Sequence, residues 1–378
     1  MIKRMTTRIE TIMARPVVGD KLLSLETLLD LLSKAYSVII KTKIALYRTG
    51  MMKSKKLPCF VISVGNITVG GTGKTPMTVY VADLVQQMGY KVAVISRGYK
   101  GKFEQSGGVV CDGHKLYCTP EESGDEPFLI AQSLGVPVLA GKNRYALGIK
   151  AIQKFDSQVI VLDDAFQHIK LKRDLDLVLL DAGHPFGNGK LIPRGRLREP
   201  ISSLERGDAI IFTRSDVKNL KKYEQPVLNK HTKKTPVLRT SHYPHISKIV
   251  TGLGRKLDKK SVEDFFEKNR QKQGLLFSGI ANNMDFRRTC EAMGMGIAGH
   301  LEFPDHCWYK QEDITMLLER YKKIRADFIV TTQKDYVKIA ERFVIPELLV
   351  VVGVQIRFMG DYGEAFESLI KKKIQSYI

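Results

Sequence analysis

The chain has 378 residues, 43% hydrophobic and 26% charged, a composition that supports a buried core and two compact domains and argues against disorder or a small disulfide scaffold. Sixty Lys and Arg against 40 Asp and Glu leave a formal charge of +20, which favours a polyanionic partner such as a nucleic acid, a nucleotide or an anionic lipid without choosing among them. The five cysteines (Cys59, Cys111, Cys118, Cys290, Cys307) are scattered, with no C-x-x-C pair and no zinc-finger spacing, so reduced thiols in a cytosolic protein are expected and a structural zinc site is not.

Residues 1–21 read as a basic N-terminal extension. Lys3, Arg4, Arg8 and Arg15 stand against Glu10, and the stretch from Met1 to Pro16 lacks the continuous apolar centre of a secretory signal. A disordered basic tail is the favoured reading, with a faint resemblance to an organellar transit peptide as the alternative. No uncharged apolar run reaches the ~18–20 residues of a membrane-spanning helix. Residues 22–56 hold an amphipathic helix from Leu22 to Arg48. Leu28, Leu32, Ala35, Ile39 and Leu46 fall near one face, while Lys34, Lys41 and Arg48 recur every seven residues on another. Residues 1–56 contain twelve Lys/Arg and four Asp/Glu. Such a helix can lie in the headgroup region of an anionic membrane, or it can pack on its own domain.

Apolar runs then follow at Phe60–Val64, Lys91–Ile95, Pro137–Ala140, Val159–Leu162, Leu175–Leu180 and Ala209–Thr213, with a helical pattern from about Pro76 to Met88. Runs separated by helices or loops are the rhythm of a parallel sheet covered on both faces. Around Lys218–Lys248 the chain turns polar and is broken by Pro226, Pro236 and Pro244. The expected division is therefore a core over 57–245 and a smaller C-terminal α/β lobe over 246–378, with strands at Gly274–Ile280, Phe328–Thr332 and Leu348–Val354. The fold class is α/β: a parallel-sheet core of the P-loop NTPase type, that lobe, and the N-terminal amphipathic helix.

The strongest chemical signal is the run Thr68, Val69, Gly70, Gly71, Thr72, Gly73, Lys74, Thr75, which lies after an apolar strand and before a helix. In a phosphate loop, glycines let backbone N–H groups turn toward the phosphates, the lysine neutralises charge, and the terminal hydroxyl ligates magnesium. Gly73, Lys74 and Thr75 fit those roles. Thr68 stands where the first glycine usually is, and Gly70 and Gly71 supply the tight turn. The strand Val159–Leu162 ends in Asp163 and Asp164, a Walker B arrangement in which either acid can serve the metal. Glu126 is a further candidate metal carboxylate. ATP and Mg²⁺ are the implied cofactors.

Several further motifs occur in series: Ser63 through Pro76, Ser96-Arg97-Gly98-Tyr99, Gly124-Asp125-Glu126-Pro127, Asp163-Asp164 with Gln167-His168, Arg194 through Pro200, Phe303-Pro304-Asp305-His306, and Thr331 through Asp335. In this order, from about Leu28 to the C-terminus, they resemble the tetraacyldisaccharide 4'-kinase family, the lipid A kinases. The resemblance implies transfer of the ATP γ-phosphate to the 4'-hydroxyl of a tetraacylated glucosamine disaccharide 1-phosphate. It also implies peripheral attachment at the cytoplasmic face of the bacterial inner membrane and ATP held between two lobes. It assigns the catalytic carboxylate to Asp125 and its orienting partner to His306. The second His often found after the first is Cys307 here.

Read alone, Asp125 is equally well a helix cap and His306 a structural histidine. Arg194, Arg196 and Arg198 alternate in a loop bracketed by Pro193 and Pro200. They are a candidate anion clamp for the substrate's 1-phosphate or the transferred group, with a solvated basic loop as the alternative. Arg97 after the second strand invites the same two readings, and Lys334 and Asp335 are placed toward the nucleotide from the second lobe. A partitioning-type P-loop ATPase is disfavoured because Val69 replaces its signature lysine. Dinucleotide binding fails for want of the third fingerprint glycine. No nucleic-acid partner is expected, since no nucleic-acid-binding motif accompanies the charge.

Overall fold

The computed structural model describes residues 11–13, 24–216, 224–232, 235–250 and 272–377. Most of the basic extension 1–21 lies outside the described residues, as does part of the polar stretch after Lys218. The elements run α1 (Leu25–Arg48), β1 (Phe60–Asn66), α2 (Lys74–Gln87), β2 (Val92–Ser96), α3 (Phe103–Ser106), β3 (Gly108–Asp112), α4 (Pro120–Ser123), α5 (Asp125–Ser133), β4 (Pro137–Ala140), α6 (Arg144–Phe155), β5 (Val159–Asp163), β6 (Leu175–Asp181), β7 (Ala209–Thr213), α7 (Glu224–His231), β8 (Val237–Val250), β9 (Gln273–Ser278), α8 (Asn283–Ala292), β10 (Gly296–Glu302), α9 (Gln311–Ile324), β11 (Phe328–Thr332), α10 (Gln333–Ile339), β12 (Leu349–Phe358) and α11 (Tyr362–Gln375).

The strands form one sheet in the order β10-β9-β11-β12-β8-β7-β6-β1-β5-β2-β4-β3. Among the described residues only the β12–β8 and β3–β4 strand pairs are antiparallel. The central strands β1, β2, β5 and β7 are buried along their whole length, as a parallel sheet covered on both faces requires. On one face Met77, Val81 and Val85 of α2 and Phe128 of α5 pack on Ile62, Val64, Val94 and Val161; on the other, Leu147 and Ala151 of α6 pack on Val61, Ala93 and Ile160.

The boundary expected at 245/246 falls inside β8. Its first residues pair with β7 and the remainder with β12, so one strand carries the sheet from the first lobe into the second. The last helix also differs from the sequence division. Phe366, Ile370 and Ile374 of α11 pack against the first lobe, in the same cluster as Phe60 and Ile62, and Tyr377 meets Phe60 edge to face at 5.4 Å. The N-terminal helix packs on the core through Leu29, Ser33 and Tyr36: Ser33 Oγ donates to Leu191 O at 2.8 Å and Tyr36 OH to Arg198 O at 3.0 Å. Its stripe of Leu28, Leu31, Leu32, Val38 and Ile39 is exposed. No helix among the described residues is long and apolar enough to cross a membrane. All five cysteines are free thiols.

Candidate active site

β1 delivers the chain to the phosphate loop and α2 begins immediately after Gly73. Gly73 adopts a left-handed φ of 79°, which favours glycine, and a Cβ there would stand 2.5 Å from His242 Nε2 and have to displace that ring. Pro76 is accommodated because the first helical turn needs no N–H from it. The loop is braced from the arginine segment. Val69 N donates to Arg196 O at 2.8 Å and Arg198 N to Ile67 O at 2.7 Å, while Asn66 Nδ2 donates to Thr72 Oγ1 at 2.8 Å inside the turn.

β5 ends beside it with the two acids. Asp163 is buried and accepts Thr78 Oγ1 at 3.0 Å and Ser96 Oγ at 2.9 Å; burial first, then the charges of Glu126 and Asp164, push it up to about 6. Asp164, at φ 47°, accepts both Arg198 Nη1 at 3.0 Å and Nη2 at 2.7 Å, with Lys74 Nζ at 3.9 Å. Burial raises its pKa, but Lys74 and Arg198 outweigh that and hold it at about 2.

Among the described residues no three His, Cys, Asp or Glu side chains form a metal cage. A phosphate-loop magnesium ion needs none, since it takes one or two carboxylates and a hydroxyl and fills the rest with phosphate oxygens and water. The donors Thr75, Asp163, Asp164 and Glu126 fit such an ion. Burial and the repulsion from Glu126 and Asp164 raise Asp163, and the repulsion is what a divalent cation would relieve.

Two glycine motifs build the third wall. A Cβ on Gly98, at φ 68°, would meet Ser123 O at 2.7 Å, so the Ser96–Tyr99 loop lies directly on the turn that starts α5. That turn presents Asp125. The second lobe then reaches over it: His306 Nδ1 lies 3.0 Å from Asp125 Oδ2, Lys338 Nζ 3.6 Å and Lys334 Nζ 3.9 Å from the same oxygen. Lys334 also contacts Glu126 Oε1 at 3.1 Å and His306 Nε2 at 3.4 Å. His306 takes a left-handed φ of 58°, and Tyr99 meets its ring edge-on at 5.7 Å. Burial pushes the Asp125 carboxyl up, but His306, Lys334 and Lys338 override it and hold it at about 2, so it stays ionised.

The expected anion clamp divides. Arg198 is committed to Asp164. Arg196 is exposed and braces the phosphate loop through its carbonyl. Arg194 departs from the expectation: it is buried, and Nη1 donates to Ile12 O at 3.1 Å, which ties down the chain ahead of α1. In a regular extended segment residues 194, 196 and 198 would share one side, so their divergence reflects a coiled loop, in which Gly195 N donates to Leu191 O at 2.9 Å. Arg97 is exposed and pairs with Glu104 Oε1 at 2.7 Å. Asp335, expected near the nucleotide, is instead buried under Lys338. Residues the motifs did not single out also line the site. Thr78 stands one turn after Lys74 on the same helix face, and Lys338 one turn after Lys334, and in each case the i, i+4 spacing was the available signal.

A family model described as tetraacyldisaccharide-1-P 4'-kinase matches residues 25–375. A tetraacyldisaccharide 4'-kinase of Desulfatibacillum aliphaticivorans is 36% identical over 374 residues, 97% of this chain and 98% of the relative. That of Syntrophus aciditrophicus (strain SB) is 38% identical over 342 residues, 87% and 89% of the two chains. Among solved structures, LpxK from Aquifex aeolicus, described in complex with ATP, superposes with a TM-score of 0.72 at 29% identity, covering 93% of this chain and all of that one.

Proposed function

The chain belongs to the tetraacyldisaccharide-1-P 4'-kinase family, and from that premise we propose how its own residues carry the reaction and where it works. It is a kinase that uses ATP and Mg²⁺ to phosphorylate the lipid A precursor at the 4' position.

Phosphoryl transfer through a loose transition state asks for alignment, charge neutralisation and a base for the acceptor's proton. Lys74 and the N–H groups of residues 68–75 hold the β- and γ-phosphates. Thr75, Asp163 and Glu126 would hold the magnesium ion; when bound it neutralises charge on the phosphate oxygens. Asp164 is already compensated by Arg198 and Lys74, whereas hydroxyls satisfy Asp163, and this favours Asp163 as the metal carboxylate. Asp125 takes the proton of the 4'-hydroxyl as the new O–P bond forms and the bond to the bridging oxygen of ADP breaks. His306 orients it. The observation that supports these roles is the 3.0 Å contact between Asp125 and His306, residues 181 positions apart brought together from opposite lobes.

The lipid acceptor keeps its acyl chains in a bilayer, so the enzyme works as a peripheral protein on the cytoplasmic face of the inner membrane. Support comes from the exposed apolar stripe of α1 beside Lys34, Lys41 and Arg48. Arg196 and Arg97 remain exposed at the rim for the substrate's 1-phosphate.

The test incubates purified protein with γ-labelled ATP, Mg²⁺ and the tetraacyl disaccharide 1-phosphate in detergent. Label should enter the lipid phase, and Lys74→Ala should lower the rate by about 10²-fold or more. Near-normal transfer by Asp125→Asn would refute the assignment of the base.

A further inference from the structure

The second lobe carries a buried ion pair that the reaction just derived does not use. Lys338 on α10 is 1% exposed, and its Nζ lies 3.2 Å from Asp335 Oδ1. Asp335 is itself fully buried and immobilised: its Oδ2 accepts Gly279 N at 3.0 Å and Thr332 Oγ1 at 2.7 Å, and its backbone N returns to Thr332 Oγ1. The ring of Tyr309 stands 5.9 Å from the ammonium. Asp335 thereby fixes the Lys338 ammonium in place.

A buried Lys–Asp pair by itself contributes little to stability, because desolvation of the two charges offsets their attraction. This pair has a second contact. The ammonium reaches across the lobe interface to Asp125 Oδ2 at 3.6 Å, the oxygen that His306 also holds. The other oxygen, Oδ1, accepts Glu126 N at 2.9 Å at the start of α5. Oδ2 is thus bracketed by groups of the second lobe, while Oδ1 carries one backbone hydrogen bond among the described residues.

We propose that Lys338 is a positioning residue for phosphoryl transfer: locked by Asp335, it holds Asp125 Oδ2 from the second lobe and so presents Oδ1 to the acceptor hydroxyl. The proposal rests on Asp125 being the base. Lys338 is 1% exposed and its ion-pair partners are Asp335 and Asp125, so it acts through the carboxylate and its loss affects turnover rather than binding.

The experiment compares wild type, Lys338→Met, the pair Lys338→Met/Asp335→Asn, and Lys338→Met in the Asp125→Asn background. Lys338→Met alone strands Asp335 in the core, whereas the double replacement removes both charges at similar volume and should fold. A misplaced reacting group costs about 10²-fold in rate, so kcat of the double variant should fall by that order with KM for ATP and for lipid unchanged. Because Lys338 works through Asp125, adding Lys338→Met to Asp125→Asn should change the residual rate by less than about threefold. A double variant with wild-type kcat, or an undiminished effect in the Asp125→Asn background, overturns the proposal. Failure of both Lys338 variants to fold overturns it as well, by making the pair a stability element. If Asp125→Asn itself turns over normally, the fault lies in the assignment of the base.

Discussion

Replacing Leu31, Val38 and Ile39 with Gln should release the enzyme from anionic vesicles and leave its fold intact. Each of these side chains is 64% exposed, and none belongs to the face through which Leu29, Ser33 and Tyr36 anchor α1. Full burial of such a side chain is worth about 1.5–3 kcal/mol, so immersing the exposed parts of three contributes at most about 3–6 kcal/mol. The headgroup region covers only part of that area, and a loss of about 10²-fold in vesicle partitioning is expected. Charge adds to it: each Lys or Arg near an anionic leaflet contributes about 1 kcal/mol, so Lys41→Glu and Arg48→Glu should weaken binding further, as should salt. Lys34 already pairs with Asp30 at 3.0 Å, and its reversal also breaks that contact. The assay is co-sedimentation with vesicles of anionic phospholipid, alongside circular dichroism and kinetics, in which the apparent KM for lipid should rise and that for ATP stay constant. Equal sedimentation of the triple variant and wild type at low salt would refute the reasoning and move the membrane contact to another surface.

Three further outcomes are expected. Asp125→Ala and His306→Ala should each lower kcat far more than they weaken ATP binding and should combine non-additively, whereas Cys307→His should change activity little; single- and double-variant kinetics check this. Arg198→Lys keeps the charge but gives up one of two charge-assisted hydrogen bonds to Asp164, a loss of about 1.5–3 kcal/mol that calorimetry should register as a lowered Tm. His168 is held near 4, by burial first and then by the charges of Arg144 and Arg173. The unfolded chain therefore binds a proton there between pH 6.5 and 4 that the folded chain does not, so stability rises with pH across that window and is lost on acidification. His168→Gln should flatten urea-unfolding free energies between pH 7 and 4.5 relative to wild type.

Nine strands were legible as apolar runs, because a strand buried on both faces must be apolar throughout and declares itself locally. The strands β3, β8 and β10 were not. β8 and β10 are mostly half-buried, and their residues, such as Arg239, His242, Tyr243, Lys248 and His300, are polar enough to read as loop. Pro244 lies within β8, where pairing with β12 accommodates it opposite Val354. The phosphate loop was equally legible, since its chemistry and its turn reside in eight consecutive residues.

The remaining features needed the fold. Asp125 and His306 were joined at sequence level only by family resemblance, because nothing within either motif encodes a partner 181 residues away. The three loop arginines were alike in sequence, yet packing sent Arg194 into the core, left Arg196 in solvent and placed Arg198 on Asp164. The return of α11 to the first lobe and the burial of Lys338 against Asp125 have the same origin. Local periodicity reports which face of an element seeks burial, and this chain's own residues determined that much; which element covers that face depends on how the lobes close, and a buried charge such as Lys338 is tolerated because Asp335, one turn back on the same helix, pairs with it and that closure brings Asp125 to it.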